Sequence, residues 1–152
     1  MVSSDLSRQQ AKRYYTLIEA NSRVPELKKL FSLVMQLRGQ LKVLYQHLEE
    51  EGYAPTNGSE DDVDDLPPDI ARRHKVFVGL ADTLRDQIEA IMATGCVIKD
   101  IETGLVDWLA SHQGREIWLC WQYGEPEIQY WHEQNTGFAG RRPVSELSVD
   151  YS

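Results

Sequence analysis

Any chemistry in this chain has to come from one stretch near its C-terminal end. Between Asp100 and Arg141 lie a thiol (Cys120), an imidazole (His132), the carboxylates of Asp100, Glu102, Asp107, Glu125 and Glu133, and the Arg141 guanidinium. Thiolate, imidazole and carboxylate together suit zinc or a similar borderline metal, so Cys120, His132 and Asp107 make one candidate ligand set. No tight ligand spacing marks them, and the competing reading is a small buried hydrophobe at Cys120 and a hydrogen-bonded surface imidazole at His132. A second grouping, His132, Glu133, Asp107 and Glu125 with Cys120 beside them, would suit a small metal-dependent or acid–base enzyme of hydrolase type. His132-Glu133 opens as a zinc-peptidase helix does, but Thr136 stands where the second His is needed, and the segment reads as strand. A Cys–His nucleophile lacks an orienting third group and oxyanion donors. Gly-rich phosphate loops, a G-x-S-x-G elbow and C-x-x-C pairs are absent.

Aromatic residues crowd the same stretch. Trp108, Trp118, Trp121, Trp131, Tyr123, Tyr130 and Phe138 must mostly be core, since a small sheet needs them to bury itself against helices. One helical hairpin cannot hide both faces of such strands, so some aromatics line a groove or meet a partner. Asp100, Glu102, Asp107, Trp121, Glu125, Tyr130, His132 and Arg141 are the expected ligand-binding residues of a polar-rimmed, aromatic-floored pocket. For Glu125 and Arg141 the competing reading is an ion pair that pins the Gly-rich loop Gly137–Arg142.

The elements that must position these groups differ along the chain. Thr16-x-x-Glu19 is a capping box. From there Leu27, Leu30, Val34, Leu37, Leu41, Leu44 and Leu48 alternate three and four apart, a heptad seam, with Pro25 imposing a kink or a helix restart and Gly52 ending it. A second seam runs Ile70, His74, Phe77, Ala81, Leu84, Ile88 and Ile91, stopped by Gly95. Here His74 reads as a boundary residue near the hairpin tip. The acidic run Glu60, Asp61, Asp62, Asp64 and Asp65 between the seams reads as a solvated loop.

After Cys96 the period changes to two. Val97–Asp100, a piece bent at Gly104, Glu116–Tyr123 and Ile128–His132 are expected strands, with His112-Gln113-Gly114 a turn. The fold class is therefore α+β: a long antiparallel, coiled-coil-like helical hairpin (16–95), then an antiparallel β-meander of three to four strands (96–143). One domain is expected over 1–152, with tails 1–13 and 145–152 loosely ordered. Alternation puts Ile128, Tyr130 and His132 on one face and Gln129, Trp131 and Glu133 on the other, unless the turn formers from Gln134 to Gly137 break the strand. His132 is expected to turn toward the Asp100–Asp107 segment, with at least one carboxylate from that segment or from Glu125 within hydrogen-bond reach.

Composition narrows the class. The 152 residues carry 16 Lys and Arg against 24 Asp and Glu, a formal charge of -8. That balance argues against nucleic-acid binding and against docking on anionic lipid. No apolar run approaches the ~20 residues of a membrane helix, and the N-terminal residues lack a signal-peptide centre. Two cysteines are too few for a disulfide framework, and a cytoplasmic protein is expected. The wide apolar faces of the hairpin predict a homodimer, a four-helix bundle made by two-fold symmetry. No cofactor is called for.

The string Tyr15-Thr16-Leu17-Ile18-Glu19-Ala20-Asn21 with Val24-Pro25-Glu26-Leu27 resembles the opening of an uncharacterised bacterial family, domain of unknown function 2203. The likeness resumes at Lys99–Asp107 and is strongest at Leu119-Cys120-Trp121, Gly124–Ile128, Tyr130-Trp131-His132-Glu133 and Gly137-Phe138-Ala139-Gly140-Arg141. Trp108-Leu109 departs from the aromatic-Pro pair of other members, which puts the geometry after Asp107 in question. The resemblance carries no activity and no assigned catalytic residues. It implies that the polar residues of the sheet half belong to one shared site or one structural lock. The leading reading is a binding or regulatory module offering its groove to a protein segment or small ligand; the alternative is the small enzyme.

Overall fold

The computed structural model describes residues 12–56 and 65–147. They fall into two compact units, one made of the residues up to Lys28 and from Met92 onward, the other of Lys29–Ile91. Most of the acidic run and of both tails lies outside the described residues. Only Lys12 and Arg13 of the first tail and residues 145–147 of the second are described. Lys12 pairs with Glu116 at 2.6 Å, and Val144–Glu146 forms a 3-10 turn whose Val144 N–H donates to the Gln129 carbonyl at 2.9 Å.

In the first unit the capping box is formed as expected. Thr16 Oγ1 accepts from Glu19 N at 3.1 Å and Glu19 Oε1 from Thr16 N at 2.9 Å, opening the short helix α1 (Leu17–Asn21). The chain turns and restarts as α2 (Val24–Glu50), with Pro25 in the first turn, where its missing N–H has no intrahelical partner to lose. Asn21 has a task of its own: its Oδ1 accepts from Ile128 N at 2.7 Å, tying the opening to the approach of a later strand.

The strands are β1 (Val97–Asp100), β2 (Leu105–His112), β3 (Arg115–Gln122), β4 (Tyr130–Glu133) and β5 (Arg142–Pro143), an antiparallel meander in chain order. The α+β class holds, and the meander has a fifth, two-residue strand where a plain loop was expected. At the β2–β3 turn Gln113 and Gly114 both have positive φ, 52° and 78°, the backbone hand that suits a two-residue hairpin turn.

Register fixes the faces. Asp107 pairs with Cys120 and Cys120 with Tyr130, while Leu109 pairs with Trp118 and Trp118 with His132. These residues share the outer face. The inner face holds Val106, Trp108, Ala110, Ile117, Leu119, Trp121 and Trp131, all buried. Gly95, at φ +98°, gives room to Tyr15: a Cβ there would sit 1.9 Å from the Tyr15 hydroxyl.

In the second unit α2 and α3 (Pro68–Ala93) form the expected antiparallel hairpin. Tyr45 meets Phe77 with ring centroids 6.2 Å apart, and Arg73 donates to both Glu51 carboxylate oxygens at 2.6 and 2.8 Å. His74 Nε2 lies 2.8 Å from the Tyr53 carbonyl, a satisfied boundary histidine. Phe31, Val34, Leu37, Leu48, Ile70 and Ile91 are buried, but Leu41, Leu44, Phe77, Leu84 and Ile88 in the middle are only half-buried.

Candidate functional site

Asp107, Cys120 and His132 come together on the outer face of the sheet. They are 2%, 0% and 3% exposed, and one donor atom from each lies within 4.8 Å of the others. Alternation explains the grouping, since every second residue of β2, β3 and β4 faces this side and the register lines them up. They line a pocket of about 290 Å³ with Lys99, Leu105, Trp118 and residues 134–138. Lys99 Nζ sits over the Trp118 ring, 4.9 Å from its centroid.

The expected approach of His132 to the Asp100–Asp107 segment is present: Nε2 lies 2.9 Å from Asp107 Oδ2. The other ring nitrogen, Nδ1, donates to the Glu133 carbonyl at 2.8 Å. Burial by itself lowers the His132 pKa. The Asp107 hydrogen bond, the Glu133 carbonyl and the Asp107 charge outweigh it and hold the pKa above the usual 6.5. Burial, with the charge of Asp107 adding to it, pushes the Cys120 thiol far up, so by itself it stays protonated. Asp107 Oδ1 is buried and without a hydrogen-bond partner.

Other expected site residues are placed elsewhere. No break separates His132 from Glu133: β4 runs in register through Ile117↔Glu133, and Glu133 pairs with Arg115 at 3.1 Å. His132 and Glu133 therefore serve different faces. Trp121 belongs to the inner face, fully buried, its Nε1 donating to the Glu125 carbonyl at 3.0 Å. The outer-face tryptophan is Trp118, whose alternation with Cys120 was visible but whose pairing with His132 needed the register. Asp100 closes its own turn, accepting from Glu102 N at 3.1 Å and Thr103 Oγ1 at 2.9 Å. Neither Asp100 nor Glu102 lines the pocket.

Glu125 and Arg141 form the lock weighed from the sequence. Arg141 Nη2 reaches both Glu125 carboxylate oxygens at 2.7 Å, and Glu125 Oε1 also accepts from Gln122 N at 2.7 Å. The guanidinium stacks over Tyr130 at 4.0 Å and Phe138 at 4.6 Å. Phe138 lines the pocket, so this lock sets the position of one wall. Tyr130 takes part through Arg141 and is not among the lining residues.

A family model described as an uncharacterized conserved protein, DUF2203, matches residues 13–144. The chain belongs to that family. Nearly every string that carried the resemblance now has a place: the capping box and Asn21 anchor, the Asp107–Cys120–His132 floor, the Glu125–Arg141 lock. Trp108-Leu109, the point of departure from other members, sits inside β2 in regular pairing with Leu119 and Trp118. No curated protein and no solved structure matches the DUF2203 chain. Among its described residues no helix is long and apolar enough to cross a membrane.

Proposed function

We propose that this DUF2203 protein is a binding module whose pocket on the outer face of the sheet takes a small ligand. The observation that carries the reading is the convergence of three buried ionisable side chains on one pocket walled by Trp118 and Phe138. Buried polar groups facing a cavity are costly unless something uses them. The volume, about 290 Å³, favours a small molecule over a protein segment: at about 30 Å³ for a water-sized unit it holds roughly ten.

Acid–base catalysis is the weaker reading. One ring nitrogen of His132 is engaged by the Glu133 carbonyl and the other by Asp107, so neither is turned to a substrate proton. Glu133 and Glu125 are held by Arg115 and Arg141. A second copy of the chain covering the half-buried middle of the hairpin is also part of the proposal, supported by exposed Val43, Val76 and Val78 beside the seams.

A fragment screen by amide chemical-shift mapping on metal-stripped protein tests the pocket. Small fragments should shift Lys99, Trp118 and Gly137 together, and Trp118→Ala should abolish the response. A library that leaves those amides unmoved at millimolar concentration overturns the reading.

A further inference from the structure

The floor of the pocket has a proton arrangement that calls for a cation. A carbonyl oxygen can only accept, so the contact between the Glu133 carbonyl and His132 puts the ring proton on Nδ1. In the neutral ring Nε2 is then a lone pair, and it faces Asp107 Oδ2 at 2.9 Å. Two electron pairs in that position repel unless a proton or a metal ion stands between them. A proton answers that one contact; Asp107 Oδ1 stays buried without a hydrogen-bond partner, and the protonated Cys120 thiol lies against the same carboxylate.

A divalent ion answers all three. We propose that Asp107, Cys120 and His132 bind a zinc ion through Oδ, Sγ and Nε2, with the fourth position open to the pocket. This deepens the reading of the pocket as a binding site and rests on it, the ion being what anchors the small ligand. The donor set is the mixed S, N, O set that zinc accepts, and three protein ligands with one open position is the pattern of an exchangeable site rather than a closed structural one. Tetrahedral zinc places sulfur, nitrogen and oxygen donors about 3.3–3.7 Å apart, so the grouping within 4.8 Å closes on an ion with shifts of about 1 Å. The Glu133 carbonyl supplies the outer contact that fixes a ligating imidazole in the correct tautomer. On binding, the proton shared by His132 and Asp107 and the thiol proton of Cys120 leave to solvent.

Cobalt(II), a spectroscopic stand-in for zinc, tests this on the full chain stripped of metal by chelator. Titration should saturate at one ion per chain with a near-ultraviolet thiolate-to-cobalt charge-transfer band, and added zinc should erase it. Azide should alter the visible cobalt bands by entering the open position; unaltered bands would overturn the open fourth position. Cys120→Ser should remove the charge-transfer band and Asp107→Asn should weaken binding at least tenfold, while Cys96→Ser, at the other buried thiol, should leave the band as it is. Absence of stoichiometric binding by the wild-type chain overturns the proposal whatever the variants do. So does a band that survives Cys120→Ser or disappears with Cys96→Ser. Fragments binding metal-stripped protein while cobalt fails would spare the pocket and end the ion.

Discussion

The sheet unit and the helical unit hide their apolar surface to different degrees. In the sheet unit Trp108, Trp121, Ile117, Leu119 and Val106 are completely buried on one face, and even the other face has Cys120, Asp107 and His132 under cover. In the helical unit Leu41, Leu44, Phe77, Leu84 and Ile88 stay half-exposed on seams that are otherwise apolar. A sheet with a fully buried inner face can give its outer face to polar chemistry. A two-helix hairpin by itself has apolar surface left over.

The largest expected effects break the sheet side of this contrast. Trp108→Ala should cost roughly 3–5 kcal/mol in a denaturant melt, the range for emptying a well-packed aromatic site. A loss below one kilocalorie per mole would mean the inner face is loosely packed. Gly95→Ala should cost about 2–4 kcal/mol, because a side chain there must adopt a left-handed backbone and displace Tyr15. A neutral result would show that Tyr15 can swing aside without penalty.

The helical side is sharpened by two leucines on the same seam. Leu37 is buried, so Leu37→Ala should cost about 2–5 kcal/mol, whereas Leu41 is half-buried and should cost well under half as much in an isolated chain. If a second copy covers the middle, Leu41→Ala becomes costly too, and its cost falls toward the isolated-chain value on dilution. Sedimentation at micromolar concentration should then give twice the 17.5 kDa chain mass. A monomer throughout the range removes the second copy.

The smallest effect lies at the hairpin tip. The Arg73 hydrogen bond holds the Glu51 pKa below its usual 4.5, so its contribution is present above that value and is lost as the pH falls through the lowered one. Glu51 is exposed and Arg73 half-buried, so Arg73→Gln should flatten the acid limb of the stability curve only slightly, and salt should shrink the difference further. An undiminished difference in high salt would mean the pair is shielded from solvent.

Local pattern carried much of the fold. The capping box at Thr16, the restart at Pro25, the two seams, β1 and the turn at Gln113-Gly114 are all set by neighbours a few residues apart, where period, cap and turn chemistry act directly. The carboxylate at His132 was expected from the Asp100–Asp107 segment or from Glu125, with Asp107 singled out only in the candidate ligand set, and Trp118 was passed over for Trp121. Those outcomes depend on strand register, which slips every side chain to the other face when it moves by one. The sequence by itself determined which residue types could bind a metal or a small molecule and which strands would carry them. Only the tertiary structure decided that Asp107 and Cys120 join His132 on one face and that β4 runs unbroken to Glu133, because cross-strand pairing joins residues far apart in the chain and leaves no mark in local spacing.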